Sequence, residues 1–299
     1  MITEVLAAIN NGTIPVDTSL IKLDNLNRGI LDNLTIVVQG NDINGQNHSY
    51  RAQYGGTETF GAAGLRVSEY NALYSAALVT EDGSFGASQQ QGVISHEFLH
   101  TLDFPDLYRF DNSGTPVGMW DIMGGVSSFL QYPLGYLRAQ KGWITSSEIT
   151  ESGTYTLTAV SEQGGNKLFT IKTPMPEADS EIICLEYRKK NPDINGFERS
   201  LYSSGLLMYR VDTGIEDWTN SGGENYIYVY RPGVTDPESA ADVGSNGINL
   251  VSKAALDVCG RNGIWKHGFK QAFFGEYPVL FRRKKQRSTY QRFEAVGGR

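Results

Sequence analysis

The chain has 299 residues, 40% of them hydrophobic, and carries a formal net charge of -7. A chain of this length can bury a full core in one large domain or two modest ones, and we favour two. The acidic balance argues against a nucleic-acid partner, because binding phosphate groups requires a basic surface. Two cysteines are too few for a disulfide scaffold or for a zinc site built from thiolates.

Membrane and export signals leave their own patterns in a sequence. No apolar run reaches the roughly 18 residues that a membrane-spanning helix needs, so we expect no transmembrane segment. The first residues lack a basic stretch followed by a long apolar run, so we expect no signal peptide within the chain.

The first third of the chain predicts strands that lead to a helix. Residues 30–40 form a β-branched apolar run, which predicts a buried strand, and residues 72–80 predict a second one. The polar, glycine-rich stretch between them, residues 41–69, is typical of a loop. A helix is expected from about residue 88 to residue 102. Its apolar face would be formed by Ile94, Phe98 and Leu102.

The middle of the chain changes character. Residues 104–125 are rich in Pro, Gly and Asp and predict an ordered, functional loop, and residues 133–143 predict a short helix. We place the domain boundary just after that helix, near Ile144. Alternating apolar residues then predict strands in the segments TYTLTAV, KLFTIKT, EIICLEYR, SGLLMYRVD and NYIYVYRP.

The helix predicted before residue 102 contains the motif HExxH. Its histidines, His96 and His100, lie one turn apart on the same face, as two ligands of a single zinc ion require. Glu97 lies beside the first of them and is a candidate general base. The alternative interpretation is that two histidines cap or pack a surface helix.

A catalytic zinc site needs a third protein ligand and an open position for water. Asp106 follows His100 by six residues, and HEFLHTLDFPD fits the extended pattern HExxHxxGxxH/D except that Asp103 replaces the glycine. The glycine accepts a left-handed backbone where the helix ends, and Asp tolerates that conformation better than most residues. The alternative role for Asp106 is that of a turn or helix-capping residue.

Several segments together resemble the immune inhibitor A-like metalloproteases, a branch of the metzincins. They are, in chain order, GILDNLTIVVQG, HEFLHTLDFPDLY, PVGMWDIMGG, PLGYLRAQKGW, EIICLEYRKK and SGLLMYRVD. The resemblance implies a secreted zinc endopeptidase with ligands His96, His100 and Asp106 and with Glu97 as general base. It also implies a methionine turn at Met123, and a leader and inhibitory prosegment that we do not expect within these 299 residues. Met123 would otherwise be ordinary core filler.

Two departures from this family pattern bear on cofactors and on the end of the chain. Members of the family often carry an acidic, calcium-binding loop before the first strand, but Leu26 and Arg28 stand where carboxylates are expected. Ca2+ binding by Asp24 or Asp32 is therefore weakly supported, and a simple turn is favoured. Residues 257–299, which become strongly basic from Arg282 onward, have no counterpart in the family, and we expect this tail to be poorly ordered.

The sequence thus predicts an α+β fold in which a metzincin-like peptidase domain precedes a β-rich, sandwich-like domain. The first is assigned to residues 1–144 and is N-terminally incomplete, the second to residues 145–256, and the atypical tail to residues 257–299. The predicted function is zinc-dependent hydrolysis of peptide bonds in a protein or peptide substrate, with one catalytic Zn2+. The oligomeric state stays open.

Two other functions remain open at this point. The first is an inactive peptidase homologue that keeps zinc, against which the intact Glu97 argues. The second is a secreted adhesin that binds glycans or proteins through aromatic side chains. Its candidate platform is formed by Trp218, Tyr226, Tyr228 and Tyr230. Rows of aromatics at strand spacing are more often core residues or cross-strand pairs.

Overall fold

The structure of the protein is a computed structural model. It describes residues 1–17, 22–39, 50–62, 64–74, 90–110, 114–125, 130–172, 180–193, 197–216, 219–220, 225–231, 251–255, 280–287 and 290–296. The chain divides into two compact units, Met1–Phe104 and Pro105–Arg299. None of the helices within these ranges combines the length and the apolar character needed to cross a membrane.

The first unit contains a small mixed sheet and two longer helices. Its elements are α1 (Ile2–Asn10), β1 (Thr35–Val38), β2 (Tyr50–Gln53), β3 (Thr59–Phe60), β4 (Leu65–Arg66), β5 (Glu69–Tyr74) and α2 (Gln90–His100). The sheet has the order β1-β5-β2, with β1 parallel and β2 antiparallel to β5. Its core lies beneath α1 and is formed by Ile2, Leu6, Leu31, Phe60 and Val67.

Three expectations for this unit need correction. The predicted buried strand is the short β1, where Val37 is 63% exposed because one face of this strand is uncovered. The predicted loop contains β2, since pairing with β5 stabilises a polar strand through its backbone. The side chain of Phe98 on α2 is 51% exposed and that of Leu102, just beyond the helix, is 38% exposed, so they do not form the buried face that their spacing predicts.

The second unit is dominated by antiparallel strands. Its elements are α3 (Gly135–Gln140), β6 (Ser146–Glu148), β7 (Gly153–Thr158), β8 (Leu168–Lys172), β9 (Glu181–Arg188), β10 (Gly205–Asp212), β11 (Ile227–Val229), β12 (Leu280–Arg287) and β13 (Tyr290–Val296). One sheet has the order β11-β10-β9-β8-β6, and another has the order β12-β13-β7. Leu157 of β7 shares a core cluster with residues of β8, β9 and β10.

A cluster of buried charges fastens the segment before β6 to the central strands of this unit. We call Arg188, Glu186 and Glu198 the ion cluster; each of these side chains is 0% exposed. The guanidinium of Arg188 donates to both carboxylates and to the carbonyls of Trp120 and Tyr132. Burial alone lowers the pKa of Arg188, but the attraction of the two carboxylates outweighs it and raises that pKa.

Hydrogen bonds connect residues that precede the predicted domain boundary to the strands of the second unit. The sequence places a boundary near Ile144, whereas the second unit begins at Pro105. Residues 135–136, which precede the predicted boundary, belong with the strands because their backbone groups bond to side chains of β9 and β10. The N–H of Gly135 donates to Glu186 over 2.6 Å, and that of Tyr136 donates to the hydroxyl of Tyr209 over 2.9 Å.

The end of the chain also differs from the expectation of a poorly ordered tail. Strands β12 and β13 form an antiparallel hairpin, and β13 pairs with β7 from Tyr290 to Ala295. Backbone hydrogen bonds to an edge strand do not depend on apolar side chains, and composition alone could not reveal that pairing. Residues 257–279, 288–289 and 297–299 of the predicted tail lie outside the described part of the chain.

Candidate metal centre

The helix that carries the HExxH motif ends in a Schellman motif. The N–H of Asp103 donates to the carbonyl of His100 over 3.0 Å, and the N–H of Phe104 donates to the carbonyl of Leu99 over 3.2 Å. Asp103 has a φ of 56°, which confirms the left-handed conformation predicted at this position. The motif stops the helix within one turn and reverses the chain, so that residues beyond Phe104 can return toward the histidines.

Three side chains converge as a result. The nitrogens of His96 and His100 and a carboxylate oxygen of Asp106 all lie within 4.8 Å of one another. The two imidazole rings meet edge to face, with centroids 4.8 Å apart and planes at 88°. His96 is buried, while His100 and Asp106 are partly buried. All three belong to one continuous stretch, residues 96–106, which we call the HExxH segment.

The chemistry of this donor set suits zinc. Zinc binds imidazole nitrogen and carboxylate oxygen at about 2.0–2.2 Å, and a tetrahedral arrangement then places ligand atoms about 3.4 Å apart. The observed spacing of at most 4.8 Å is wider than this by no more than about 1.4 Å. Two histidines and one carboxylate also leave a fourth position open, as catalytic sites require. The residues present therefore fit a zinc ion.

Hydrogen bonds hold the imidazole ring of His100 and the backbone of Asp106. Nδ1 of His100 lies 2.8 Å from the carbonyl of Phe104, so this nitrogen carries the proton and Nε2 keeps its lone pair for a metal. The carbonyl of Asp106 accepts hydrogen bonds from the hydroxyl of Thr219, at 2.7 Å, and from the N–H of Asn220, at 3.1 Å. These bonds restrict the backbone on either side of the turn.

Glu97 lies next to the first histidine on the helix and is 9% exposed. Close to it is Arg51 on β2, a residue that sequence reasoning missed. Burial lowers the pKa of Arg51, and the carboxylates of Asp103 and Glu97 oppose that change by attraction. Arg51 also donates hydrogen bonds to the carbonyl of His100 and to the carboxylate of Glu69. A positive charge is thus held at the end of the motif helix.

The predicted methionine turn is a tight, buried structure in the second unit. Met123 is fully buried, and its carbonyl accepts a 2.9 Å hydrogen bond from the N–H of Leu107, the residue after Asp106. The carboxylate of Asp121 accepts from the N–H of Met123, at 2.7 Å, and from that of Leu134, at 2.6 Å. The turn is therefore tied to the chain directly beyond the third candidate ligand.

Asp121 is a second residue that sequence reasoning did not single out. Complete burial raises the pKa of its carboxyl from an ordinary value of 3.8 to about 6. The hydrogen bonds from Leu134 and Met123 and the charge of Arg188 oppose this rise. The group therefore titrates in a mildly acidic range where most carboxyl groups are already ionised.

Asp24 and Asp32, the candidate calcium ligands, stabilise a turn by accepting hydrogen bonds. One carboxylate oxygen of Asp24 accepts the N–H of Gly29 over 2.7 Å, and one of Asp32 accepts both the backbone and side-chain N–H groups of Asn25 over 2.7 Å. Backbone hydrogen bonds, the strongest from Arg28 and a weaker one from Gly29, lower the pKa of Asp24, and the bonds from Asn25 lower the pKa of Asp32. Arg28 lies 3.5 Å from Asp32 and supplies a positive charge where a cation would have to bind.

Comparisons with known proteins add no assignment. No protein-family model matches the chain, and neither a curated protein nor a solved structure matches it.

Proposed function

We propose that this protein is a zinc-dependent endopeptidase. The observation that carries the proposal is the convergence of donor atoms from His96, His100 and Asp106 within 4.8 Å. Glu97 follows His96 directly and supplies the carboxylate that such a hydrolase needs as a base. Two imidazoles, one carboxylate and an adjacent glutamate form a set used for metal-assisted hydrolysis.

In the proposed mechanism His96, His100 and Asp106 would hold the zinc ion. When bound, the ion supplies a Lewis acid that acidifies a water molecule and polarises the scissile carbonyl group. Glu97 removes a proton from the attacking water and returns a proton to the leaving amine. The hydrogen bond from Nδ1 of His100 to Phe104 keeps the imidazole oriented throughout these steps.

The resemblance to immune inhibitor A-like metalloproteases extends the proposal beyond the site. It assigns a metzincin-like catalytic domain, a following β-rich domain, a protein or peptide substrate and an extracellular location. The Schellman turn at Asp103 supports the match at the one motif position where the sequence departs from glycine. The left-handed backbone expected there is kept despite the substitution.

The two rival functions receive less support. An inactive homologue would be free to lose Glu97, which is present and buried on the motif helix. The adhesin hypothesis needs exposed aromatic rings, but Tyr226, Tyr228 and Tyr230 are at most 5% exposed and belong to the interior of the second unit. Trp218, the fourth member of that platform, lies outside the described residues.

The proposal is tested with casein as an unstructured substrate and with a matched pair of variants. Zinc-loaded protein is expected to cleave casein, to stop when a zinc chelator is added and to resume when zinc is restored. Asp106→Asn weakens the third ligand and is expected to lose most of this activity. Asp103→Asn makes the same chemical change three residues earlier, keeps a residue that tolerates positive φ, and is expected to stay active.

Two results would contradict the proposal. Folded, zinc-loaded protein that leaves casein and other unfolded proteins intact would argue for a metal-binding protein without peptidase activity. Equal activity of the Asp106→Asn and Asp103→Asn variants would remove Asp106 from the site. Folding of each variant is checked by circular dichroism before assay.

A further inference from the structure

A single arginine connects the small sheet of the first unit to the end of the motif helix. Arg51 lies on β2 opposite Asn71 of β5, and its guanidinium donates to the carbonyl of His100 and to the carboxylate of Glu69. Glu69 is the first residue of β5. One planar group therefore bonds to β5 and to the last residue of α2 at the same time.

The carbonyl that Arg51 contacts has special importance. Carbonyls in the last turn of a helix lack partners within the helix and carry partial negative charge. His100 is the last residue of α2, and its carbonyl also accepts the N–H of Asp103 over 3.0 Å within the Schellman motif. Because a carbonyl oxygen has two lone pairs, these two donors together satisfy it and fix its direction.

The same residue is fixed through its side chain. Nδ1 of the His100 imidazole bonds to Phe104, so both the backbone and the ring of this candidate ligand have defined partners. The bond from Arg51 comes from another secondary-structure element, whereas those from Asp103 and Phe104 come from the turn itself. Removing the guanidinium takes away this hydrogen bond to the sheet, while the two backbone bonds of the Schellman motif do not depend on it.

The surroundings of Arg51 favour an arginine over other residues. Its side chain is 22% exposed, and the carboxylates of Glu97 and Asp103 lie near enough to act on its charge. A planar guanidinium can donate in two directions at once, to a carboxylate and to a carbonyl. An ammonium group on a flexible chain offers only a point charge and does not hold both partners in one plane.

We propose that Arg51 is a positioning residue of the metal centre, which fixes the carbonyl of His100 and thereby the orientation of its imidazole. The inference rests on the proposed zinc site and adds a residue outside the motif to it. Mutation of a residue that hydrogen-bonds to a metal ligand typically lowers metal affinity by about tenfold to a hundredfold. Arg51 contacts the backbone of His100 and not its imidazole ring, so we expect its mutation to lower zinc affinity by an amount near the lower end of that range.

The test measures zinc affinity directly, by competition with a chromogenic chelator, so it does not depend on peptidase activity. Arg51→Gln removes the charge and the planar fork, and its zinc dissociation constant is expected to rise about tenfold. Arg51→Lys keeps the charge and should give an intermediate value. Arg66→Gln, on β4 in the same unit and exposed, removes an equal charge and should stay within about twofold of the parent.

A merely structural role predicts a different pattern. The thermal midpoint of the zinc-free protein would then fall in proportion to the loss of zinc affinity, and Arg51→Lys would not rescue either quantity. Our proposal expects the zinc-free midpoints of Arg51→Lys and Arg66→Gln to be alike while their zinc affinities differ. If Arg51→Gln fails to fold, this comparison still decides the question.

The outcomes separate this inference from the proposed function. A parent protein that binds no zinc overturns both. A parent protein that binds zinc, with Arg51→Gln and Arg51→Lys as tight as Arg66→Gln, overturns the role of Arg51 and leaves the zinc site standing. At saturating zinc, the remaining loss of activity in Arg51→Lys should appear in kcat rather than in KM, because the guanidinium acts through His100.

Discussion

The HExxH segment and the ion cluster both gather polar side chains, but they assemble them differently. The donors of the HExxH segment come from positions 96, 100 and 106 of one continuous stretch, and local bonds bring them together. The ion cluster joins Arg188 to partners as distant in sequence as Trp120 and Tyr132. Every N–H of that guanidinium has an acceptor within the second unit.

This difference predicts that the HExxH segment contributes mainly to catalysis and the ion cluster mainly to stability. A cluster in which oppositely charged groups satisfy one another needs no external ligand, and breaking it leaves a buried charge uncompensated. Donors such as the imidazoles of His96 and His100 and the carboxylate of Asp106 carry lone pairs that a cation can use. Substitutions in the HExxH segment should therefore affect catalysis first, and substitutions in the ion cluster should affect folding first.

The largest expected effect is on turnover. Glu97→Gln keeps the shape of the side chain and removes the proton acceptor, so casein cleavage is expected to fall by about 10²- to 10⁴-fold while zinc content and unfolding stay unchanged. Glu151→Gln, an exposed substitution of the same kind, serves as the control. Activity of Glu97→Gln within about tenfold of the parent would assign the base to another residue.

The ion cluster should show the opposite behaviour. Arg188→Met leaves Glu186 and Glu198 buried without their counter-charge, so the free energy of unfolding is expected to fall by about 3–5 kcal/mol in urea titrations. Lys172→Met removes a cation that is 72% exposed in a surface pair and should change that free energy by less than about 0.5 kcal/mol. Equal unfolding midpoints for the two variants would show that the cluster contributes little to stability.

The buried carboxyl group of Asp121 should make the free energy of unfolding depend on pH. Its carboxyl has a pKa raised by burial from 3.8 to about 6. In that range the folded protein holds a proton that the unfolded chain releases, so stability from this group is full well below pH 4 and is lost as the pH rises through 6. The loss amounts to about 3 kcal/mol. The Asp121→Asn variant has no carboxyl group at this position and should not show this loss of stability with rising pH.

The measurement is the difference in unfolding free energy between the parent and Asp121→Asn at pH 4 and at pH 7. Zinc-free protein is used, because protonation of metal ligands would add its own pH dependence. The advantage of the parent in unfolding free energy should shrink by about 2 kcal/mol between pH 4 and pH 7, because part of the total change already occurs below pH 4. An advantage that stays constant with pH would mean that Asp121 is ionised throughout this range.

The smallest effect is expected at the end of the motif helix. Asp103 has a φ of 56°, so Asp103→Gly should be neutral or stabilising by up to about 1 kcal/mol as left-handed strain is relieved. Asp103→Ala keeps a Cβ without the polar group and should be destabilising by about 1 kcal/mol. A clear loss of stability in Asp103→Gly would show that the attraction between Asp103 and Arg51 outweighs the strain.

The parts of the site that could be predicted are those set by local geometry. The spacing of His96 and His100 on a helix, the left-handed Asp103 and the return of Asp106 all follow from rules that act over a few residues. The apolar segments bounded by turn residues likewise predicted β8, β9 and β10, although β9 and β10 are buried on both faces rather than on one.

The parts that could not be predicted depend on distant partners. Arg51 lies in a polar stretch that reads as a loop, and only its pairing with β5 places it beside His100. Composition predicts a poorly ordered tail after Phe281, whereas backbone pairing with β7 makes it a hairpin. Helical spacing alone also could not show that Phe98 stays exposed.

The central claim is that His96, His100 and Asp106 form a zinc site, and metal analysis of the purified protein tests it most directly. Folded parent protein, equilibrated with zinc and freed of excess metal, should contain one zinc ion per chain. His96→Ala, His100→Ala and Asp106→Ala should each contain much less under the same conditions, while Met123→Leu should retain it. Parent protein that is folded by circular dichroism and contains no zinc would contradict the account.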